Sequence, residues 1–540
     1  MSERIPLEVV APGKRLLLDY AARSPALARI HARHYANPAD LRAVAGEIDG
    51  REYPRSTLAE ILEEQNRGFA GDGEALRGAR RLSDVRALAV VGGQQAGLFG
   101  GPLYTIHKAL TIAKLAAELE RDLERPVVPV FWIASDDHDL AEVDHCDLPD
   151  SSRTLRVRLE SPSTASRLPV CEVALGDGIL AAIDRTREIL GQAPFAREAL
   201  DALRDAYRPG ASYSGAFGRW MQHVLRGQGV VLVDPSDIRI KRLLTPLFRA
   251  EIRDGSPVSR AVLRRTSLLE GAGYRAQVEV HEGILALFLH DPGRESIATS
   301  GDGFLLKATG RKIPKAELLD LAEEAPERFS PNALLRPVCQ DSLFPTVATV
   351  LGPSEIAYHF QIAEAYAAFA VPQPILIPRA SLTLVEPRTA SLLRRTGASL
   401  ADVLSWGGRT EVELARRRIP ADLAEALERG RGEEVGRWAS LRREAGELDP
   451  TLRRTAELAS GRIDRQYRFL AGKVAKAVLR RDGELRSQAA RLTASLCPRS
   501  SLQERVHPLL PYLAACGPEV MRRIREAIDT ADPSHVGVEV

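Results

Sequence analysis

The sequence predicts an α/β protein: a doubly wound parallel sheet interrupted by insertions and followed by a long helical segment. Three observations predict it. Short apolar runs recur at Leu88–Val91, Val127–Ala134, Val230–Val233, 347–351 and 374–378, each ending in polar or glycine-rich residues. Continuous apolar runs this short read as strands buried on both faces. Between the first two lies an amphipathic stretch from Thr105 to Glu120, with Ile106, Leu110, Ala113 and Ala117 on one stripe, which completes a β-loop-α-β unit. A second such unit over residues 347–378 mirrors the first, and ligands of such sheets bind beyond the carboxyl ends of the strands.

Taken in order, residues 1 to about 85 read as helices, with Leu16, Leu17, Tyr20 and Ala21 on one stripe and Leu58, Ile61, Leu62 and Gln65 on another. After the first unit, SPSTASRLPVCEVALGDG reads as a loop, and helices are expected over 179–190, 195–206, 216–225 and 239–252. Period-two spacing of Val278, Val280, Ile284, Leu285, Leu287 and Leu289 around Gly283 predicts an antiparallel hairpin. A basic turn with Lys307, Lys312 and Lys315 precedes a helix over 315–324, and a helix over 357–369 follows the strand at 347–351. From 390 to about 488 the chain is charged and leucine-spaced. Val435, Trp438 and Leu448 mark one helix, Asp449 and Pro450 a break, and Ile463, Tyr467, Leu470, Val474 and Ala477 the heptad-like seam of a second. Residues 500–527 close with a helix pair. The domains expected are 1–150 (first half of the core), 151–330 (insertions with part of the core), 331–390 (second half of the core), 391–490 (helical hairpin) and 491–540 (C-terminal helices on the core).

Composition limits the functions available. Residues number 540, 44% hydrophobic and 27% charged, as in ordinary globular proteins, and enough for about three to four domains. A net charge of +2 gives no general attraction to nucleic acid or anionic membrane. Five dispersed cysteines without a CxxC pair predict reduced thiols, hence a cytoplasmic protein. The opening residues show no signal-peptide pattern, and no apolar run reaches the length of a membrane span.

The chemistry concentrates after the strands. Gly92, Gly93, Gly97, Gly100 and Gly101 surround Gln94 and Gln95, with Pro102 opening the helix and Lys108 one turn in. Glycines let backbone N–H groups approach a phosphate or carboxylate at a helix N-terminus, the alternative being a structural tight turn. The spacing fits neither GxGxxG nor GxxxxGK[ST]. The second cluster holds Trp132, Ser135, Asp136, Asp137, His138, Asp139, Asp144 and His145. So many carboxylates at one strand end repel unless a metal, a substrate amine or an arginine joins them, and seven-residue spacing would place His138 and His145 on one helix face. Gln340, Asp341, Gly352, Pro353, Glu355, Tyr358 and Arg379 follow the strands of the second half and are expected to face the first cluster across the switch point.

At these residues the chain resembles the bacillithiol biosynthesis cysteine-adding enzymes. GQQAGLFGGPLYTIHKALTIAKLA followed by PVFWIASDDHDLAEVDH resembles that family's most characteristic segment, RPVCQDSLFPTVATVLGPSEIAYHFQIAEAY with PRASLTLVE its second block, and SLQERVHPLLPYL its C-terminal block. The resemblance implies a Rossmann-type core related to nucleotidyl transferases and class I aminoacyl-tRNA synthetases, with connecting-peptide insertions and a coiled-coil dimer domain. It implies a ligase joining cysteine to glucosaminyl-malate, the last step of bacillithiol synthesis. The family pattern carries the loop Gln94 to Lys108, including Tyr104 and Thr105, and the acidic cluster Asp136–His138 over as the site. Gly93 departs from it, standing where threonine is common. The expected mechanism has ATP activating a carboxylate, with Mg²⁺ accompanying the nucleotide and no metal-ligand set assigned to the protein. Residues from Gly97 to Lys108 hold a phosphate or carboxylate, Asp136 or Asp137 the cysteine ammonium, and His138 is the general base. Two alternatives are a nucleotide-hydrolysing or adenylyl-transferring enzyme on another amino-acid-like substrate, and an assembly protein centred on the hairpin. The expected partners are small molecules and a second copy of the chain, with no nucleic acid and no membrane.

Overall fold

The computed structural model describes residues 3–136, 139–160, 168–291 and 293–540. In chain order its strands are β1 (Glu3–Ile5), β2 (Leu88–Gln95), β3 (Val127–Ala134), β4 (His145–Asp150), β5 (Arg153–Arg158), β6 (Val231–Val233), β7 (Ile284–His290), β8 (Arg294–Ser300), β9 (Gly303–Leu306), β10 (Lys312–Pro314), β11 (Phe329–Pro331), β12 (Thr346–Leu351), β13 (Ile375–Pro378), β14 (Ser381–Val385) and β15 (His535–Glu539).

The central sheet is parallel throughout, in the order β13-β12-β2-β3-β6. Read by chain position this is 5-4-1-2-3, the Rossmann order, and its direction of winding reverses between β2 and β12. Both faces are covered, as the apolar runs predict. Leu88 and Val90 of β2 enter one core, while Ala89 and Val91 enter the other. The connecting helix runs Tyr104–Leu123 and is buried almost all round in its first half; Ala117 of the expected stripe is exposed, and Ala116 and Leu119 point inward instead.

Gly92 and Gly93 belong to β2 and not to a loop. A Cβ on Gly92 would stand 2.8 Å from the Val350 carbonyl oxygen and one on Gly93 2.5 Å from that of Trp132, so both neighbouring strands require glycine here. In this chain position 93 is therefore closed to threonine.

The insertion after β6 is a five-stranded antiparallel sheet, β10-β9-β8-β7-β11, packed on the second core. Its hairpin pairs β7 with β8, with Leu289 opposite Glu295. The stretch from Tyr274 to Gly283 that was expected to form the first arm is irregular, with Val278 and Val280 half-buried. The expected helix over 357–369 is two helices, Pro353–Gln361 and Ala363–Ala368, broken at Ile362.

Beyond β13 the chain forms the helical part. Helices Ala421–Leu448 and Leu452–Arg481 make an antiparallel hairpin, and the Asp449 carboxylate accepts from the Thr451 N–H at 2.8 Å where they turn. Tyr467 lies over Gly430 and Arg431 pairs with Asp464, which sets the register. Leu470 of the expected seam is half exposed, and Leu448 and Phe469 also face outward. Strands β1, β14 and β15 are not among the predicted elements. Their pairing places β15 between β1 and β14, closing N- and C-terminal segments into one sheet. Among the described residues no helix is long and apolar enough to cross a membrane.

Candidate functional site

At the reversal point the ends of β2 and β12 are pinned together by one lysine. Lys108, on the inner face of the Tyr104–Leu123 helix, donates to the Gly93 carbonyl at 2.6 Å, the Gln94 Oε1 at 3.0 Å and the Glu355 Oε2 at 2.6 Å. All three ammonium protons are used. Burial lowers its pKa against the pull of Glu355. Glu355 Oε2 also accepts from the Gly352 N–H at 2.6 Å, closing the start of its own helix. The expectation that Lys108 reaches a phosphate is therefore corrected: it is a buried strut, and its bond to Oε1 leaves the Gln94 NH₂ as a donor.

Above this strut lies a cleft of about 520 Å³. It brings together Gln94, Gln95, Trp132, Asp136, Glu355 and Tyr358 of the expected residues. Asp136 is matched by a cation that the sequence reading missed. Lys241, itself buried on the Ile238–Arg253 helix, donates to Asp136 Oδ2 at 2.6 Å and to the Phe329 carbonyl at 3.1 Å. Ser135 donates to Asp234 Oδ1 at 2.5 Å, turning away from the cleft. Asp144 pairs with Arg158 at 3.1 Å and His145 at 3.0 Å. Asp136 and Asp144 thus find their countercharge in Lys241 and in Arg158, an arginine being one of the three partners expected. Among the described residues no three His, Cys, Asp or Glu side chains converge as a metal site. His145 opens β4, so it shares no helix face with His138; Asp137 and His138 lie outside the described residues.

Gly97, Gly101, Pro102, Tyr104, Thr105 and His145 are drawn to a second cavity of about 80 Å³, for which Gln94 and Gln95 form the wall shared with the cleft. The start of the helix is less open than expected, because the Leu103 N–H bonds the His507 carbonyl at 2.8 Å and the Thr105 N–H that of Pro102 at 2.9 Å. Among the described residues the buried Thr105 hydroxyl has no partner, and Arg505 lines the same cavity. Gly100 is fixed for packing: a Cβ would stand 2.7 Å from the Trp220 Nε1.

The remaining expected residues lie apart. Arg379 makes a bidentate pair with Glu504, at 3.0 and 2.7 Å, and lines with Pro353 a third cavity of about 680 Å³ against the helical part. Gln340 and Asp341 are buried behind the cleft wall, where Gln340 Nε2 donates to Asp341 Oδ1 at 2.9 Å and the Tyr366 hydroxyl to Oδ2 at 2.7 Å. Burial pushes the Asp341 carboxyl up to about 6. Lys241 leaves one usable signal in sequence, its place one turn into the helix after the strand ending in Asp234; Glu504 leaves none, since its partners lie more than 100 residues away.

Comparison with known proteins adds a family. Residues 2–380 match "Bacillithiol biosynthesis BshC, N-terminal Rossmann-like domain" and residues 382–540 "Bacillithiol biosynthesis BshC, C-terminal coiled-coil domain". The chain is 33% identical over 538 residues to a protein of Koribacter versatilis named "Putative cysteine ligase BshC", covering 99% of each. It is 32% identical to the protein of that name from Salinibacter ruber, over 100% of this chain and 98% of the other. The corresponding protein of Bacillus licheniformis is 28% identical over 89% of each.

Proposed function

This chain belongs to the BshC family of bacillithiol biosynthesis, and on that premise we propose that it joins L-cysteine to glucosaminyl-malate through an amide bond, with ATP activating the carboxylate. The observation that carries the reading is the reversal-point cleft, where Asp136 is held by Lys241 beside the Gln94 amide. A carboxylate fixed in this way accepts from an amino-acid ammonium. An amide does not form from a free carboxylate in water unless the departing oxygen carries a phosphoryl or adenylyl group, which ATP supplies. The small cavity next door suits such a phosphate, since the Thr105 hydroxyl is a donor without a partner and Arg505 supplies charge. Mg²⁺ enters with the nucleotide in this reading. Asp137 and His138 follow Asp136 directly in sequence, and His138 is assigned as the base that takes the proton of the attacking sugar amine.

The exposed Leu448 and Phe469 of the helical hairpin suit a second copy of the chain, so the working unit in this reading is a cytoplasmic dimer. Purified protein incubated with cysteine, glucosaminyl-malate and ATP should form bacillithiol, identified by mass spectrometry, with ADP or AMP released in equal amount. Undiminished product formation by Asp136→Asn and His138→Ala together would remove the site assignment. Deletion of residues 392–488 should give a monomer.

A further inference from the structure

Arg336 also faces the cleft, on the opening turn of the Arg336–Leu343 helix. Its Nη1 donates to Gln340 Oε1 at 3.1 Å and its Nη2 to the Tyr358 hydroxyl at 3.2 Å, both neutral acceptors. Among the described residues no carboxylate lies within ion-pair distance of it. Glu355, the nearest in charge effect, is already held by Lys108 and the Gly352 N–H. Three other cations at this end of the sheet differ: Lys108, Lys241 and Arg379 each hold a carboxylate, at 2.6, 2.6 and 2.7 Å. A guanidinium offers five donors in a planar fork that matches a carboxylate.

The parts behind Arg336 fix its position. Because Gln340 gives its NH₂ to Asp341, its oxygen is turned to Arg336, and the Tyr366 hydroxyl holds Asp341 in turn. The charged fork is thus held from behind by neutral groups while its countercharge is left to the cavity.

We propose that Arg336 receives a substrate carboxylate in this cleft, with Gln340 and Asp341 as its positioning residues. The identity of that substrate rests on the function proposed above, which offers two sources: the α-carboxylate of cysteine and the malyl carboxylates of glucosaminyl-malate.

Binding by calorimetry separates them. Each acid is compared with a ligand lacking the carboxylate: cysteine with cysteamine, glucosaminyl-malate with methyl glucosaminide, and malonate with malonamide. In the wild-type chain one acid should bind about tenfold or more tighter than its counterpart. Arg336→Met should abolish that preference and leave the counterpart's binding unchanged, which also shows that the variant is folded. Arg336→Lys should restore part of the preference, and Gln340→Leu should reduce it. Loss in the cysteine pair assigns the amino acid; loss in the glucosaminyl pair assigns the malyl group. A wild-type chain that binds neither substrate but shows an Arg336-dependent preference for malonate would overturn the cysteine-ligase reading and keep this one. A carboxylate preference untouched by Arg336→Met, or none in any pair, overturns the proposal.

Discussion

Two charged clusters flank the central sheet, and they are finished to different degrees. At the junction with the helical part, Glu504 accepts from both terminal nitrogens of Arg379, from His107 at 3.1 Å, from the Ser381 hydroxyl at 3.0 Å and from the Leu382 N–H at 3.0 Å. Every lone pair has a donor, and the group is buried. In the cleft, among the described residues, Asp136 has one strong partner and keeps 18% of its side chain exposed, while Arg336 holds only neutral acceptors. A cluster completed by its own chain holds the fold together. One left short of partners and facing a cavity is available to something that arrives later.

The widest gap between the two should appear in stability. Glu504→Ala leaves Arg379 buried without a countercharge and should cost about 3–5 kcal/mol, read as a fall in the urea midpoint. Asp136→Asn keeps an acceptor for the buried Lys241 but removes its countercharge, so it should cost less, about 1–3 kcal/mol in the same measurement, yet lower kcat/KM for bacillithiol formation by about 10- to 100-fold, the worth of a charged hydrogen bond. Equal stability losses would erase the distinction.

Acid should separate them next. Burial alone would raise the Glu504 carboxyl, but Arg379 and His107 outweigh it and hold it well below the ordinary range. The folded state then binds fewer protons there than the unfolded chain, so this contribution is complete above about pH 4 and is lost as pH falls. Asp341, behind the cleft, behaves oppositely. Burial raises it to about 6, so between about pH 4 and 6 the folded state holds a proton that the unfolded chain has released, and stability falls as pH rises. Measured as urea midpoint against pH, Glu504→Gln should flatten the acid limb and Asp341→Asn should remove the decline toward pH 6.

The smallest expected effect concerns Thr105, whose buried hydroxyl has no partner among the described residues. Thr105→Val removes a polar atom that the fold does not use, so stability should change by less than about 1 kcal/mol in either direction. The KM for ATP should rise several-fold. An unchanged KM would return that cavity to mere packing.

Local pattern explains how much of this could be read beforehand. The five sheet strands are contiguous apolar runs, and the β2–β3 and β12–β13 pairings follow from two β-loop-α-β units. Gly92 and Gly93 resemble a loop in sequence because composition alone does not distinguish a turn from a strand whose neighbours would stand 2.8 and 2.5 Å from an added Cβ. Asp136 was legible as part of an acidic strand end. Its partner Lys241 stands 105 residues away, marked only by its place one turn into the helix that follows a strand. Gln340 and Asp341 were read as cleft residues, whereas the cleft residue is Arg336 one helical turn earlier, four positions from the glutamine it touches. The 145–158 hairpin was hidden by its charges: Asp147 in β4 is matched by Arg156 across the ladder and by Arg499 from the C-terminal part.

The sheet that sets β15 between β1 and β14 carries a consequence for how the chain is made. Arg4, in β1, pairs with Asp532, 528 residues further on. At ordinary rates of translation these partners leave the ribosome roughly half a minute to two minutes apart. Through that interval β1 is an orphan strand, and so is β14 until β15 emerges to fill the space between them. The Rossmann sheet, complete once β13 is out, is free to fold long before. Vectorial synthesis would therefore leave the catalytic half assembled on a nascent chain whose closing seam is still missing.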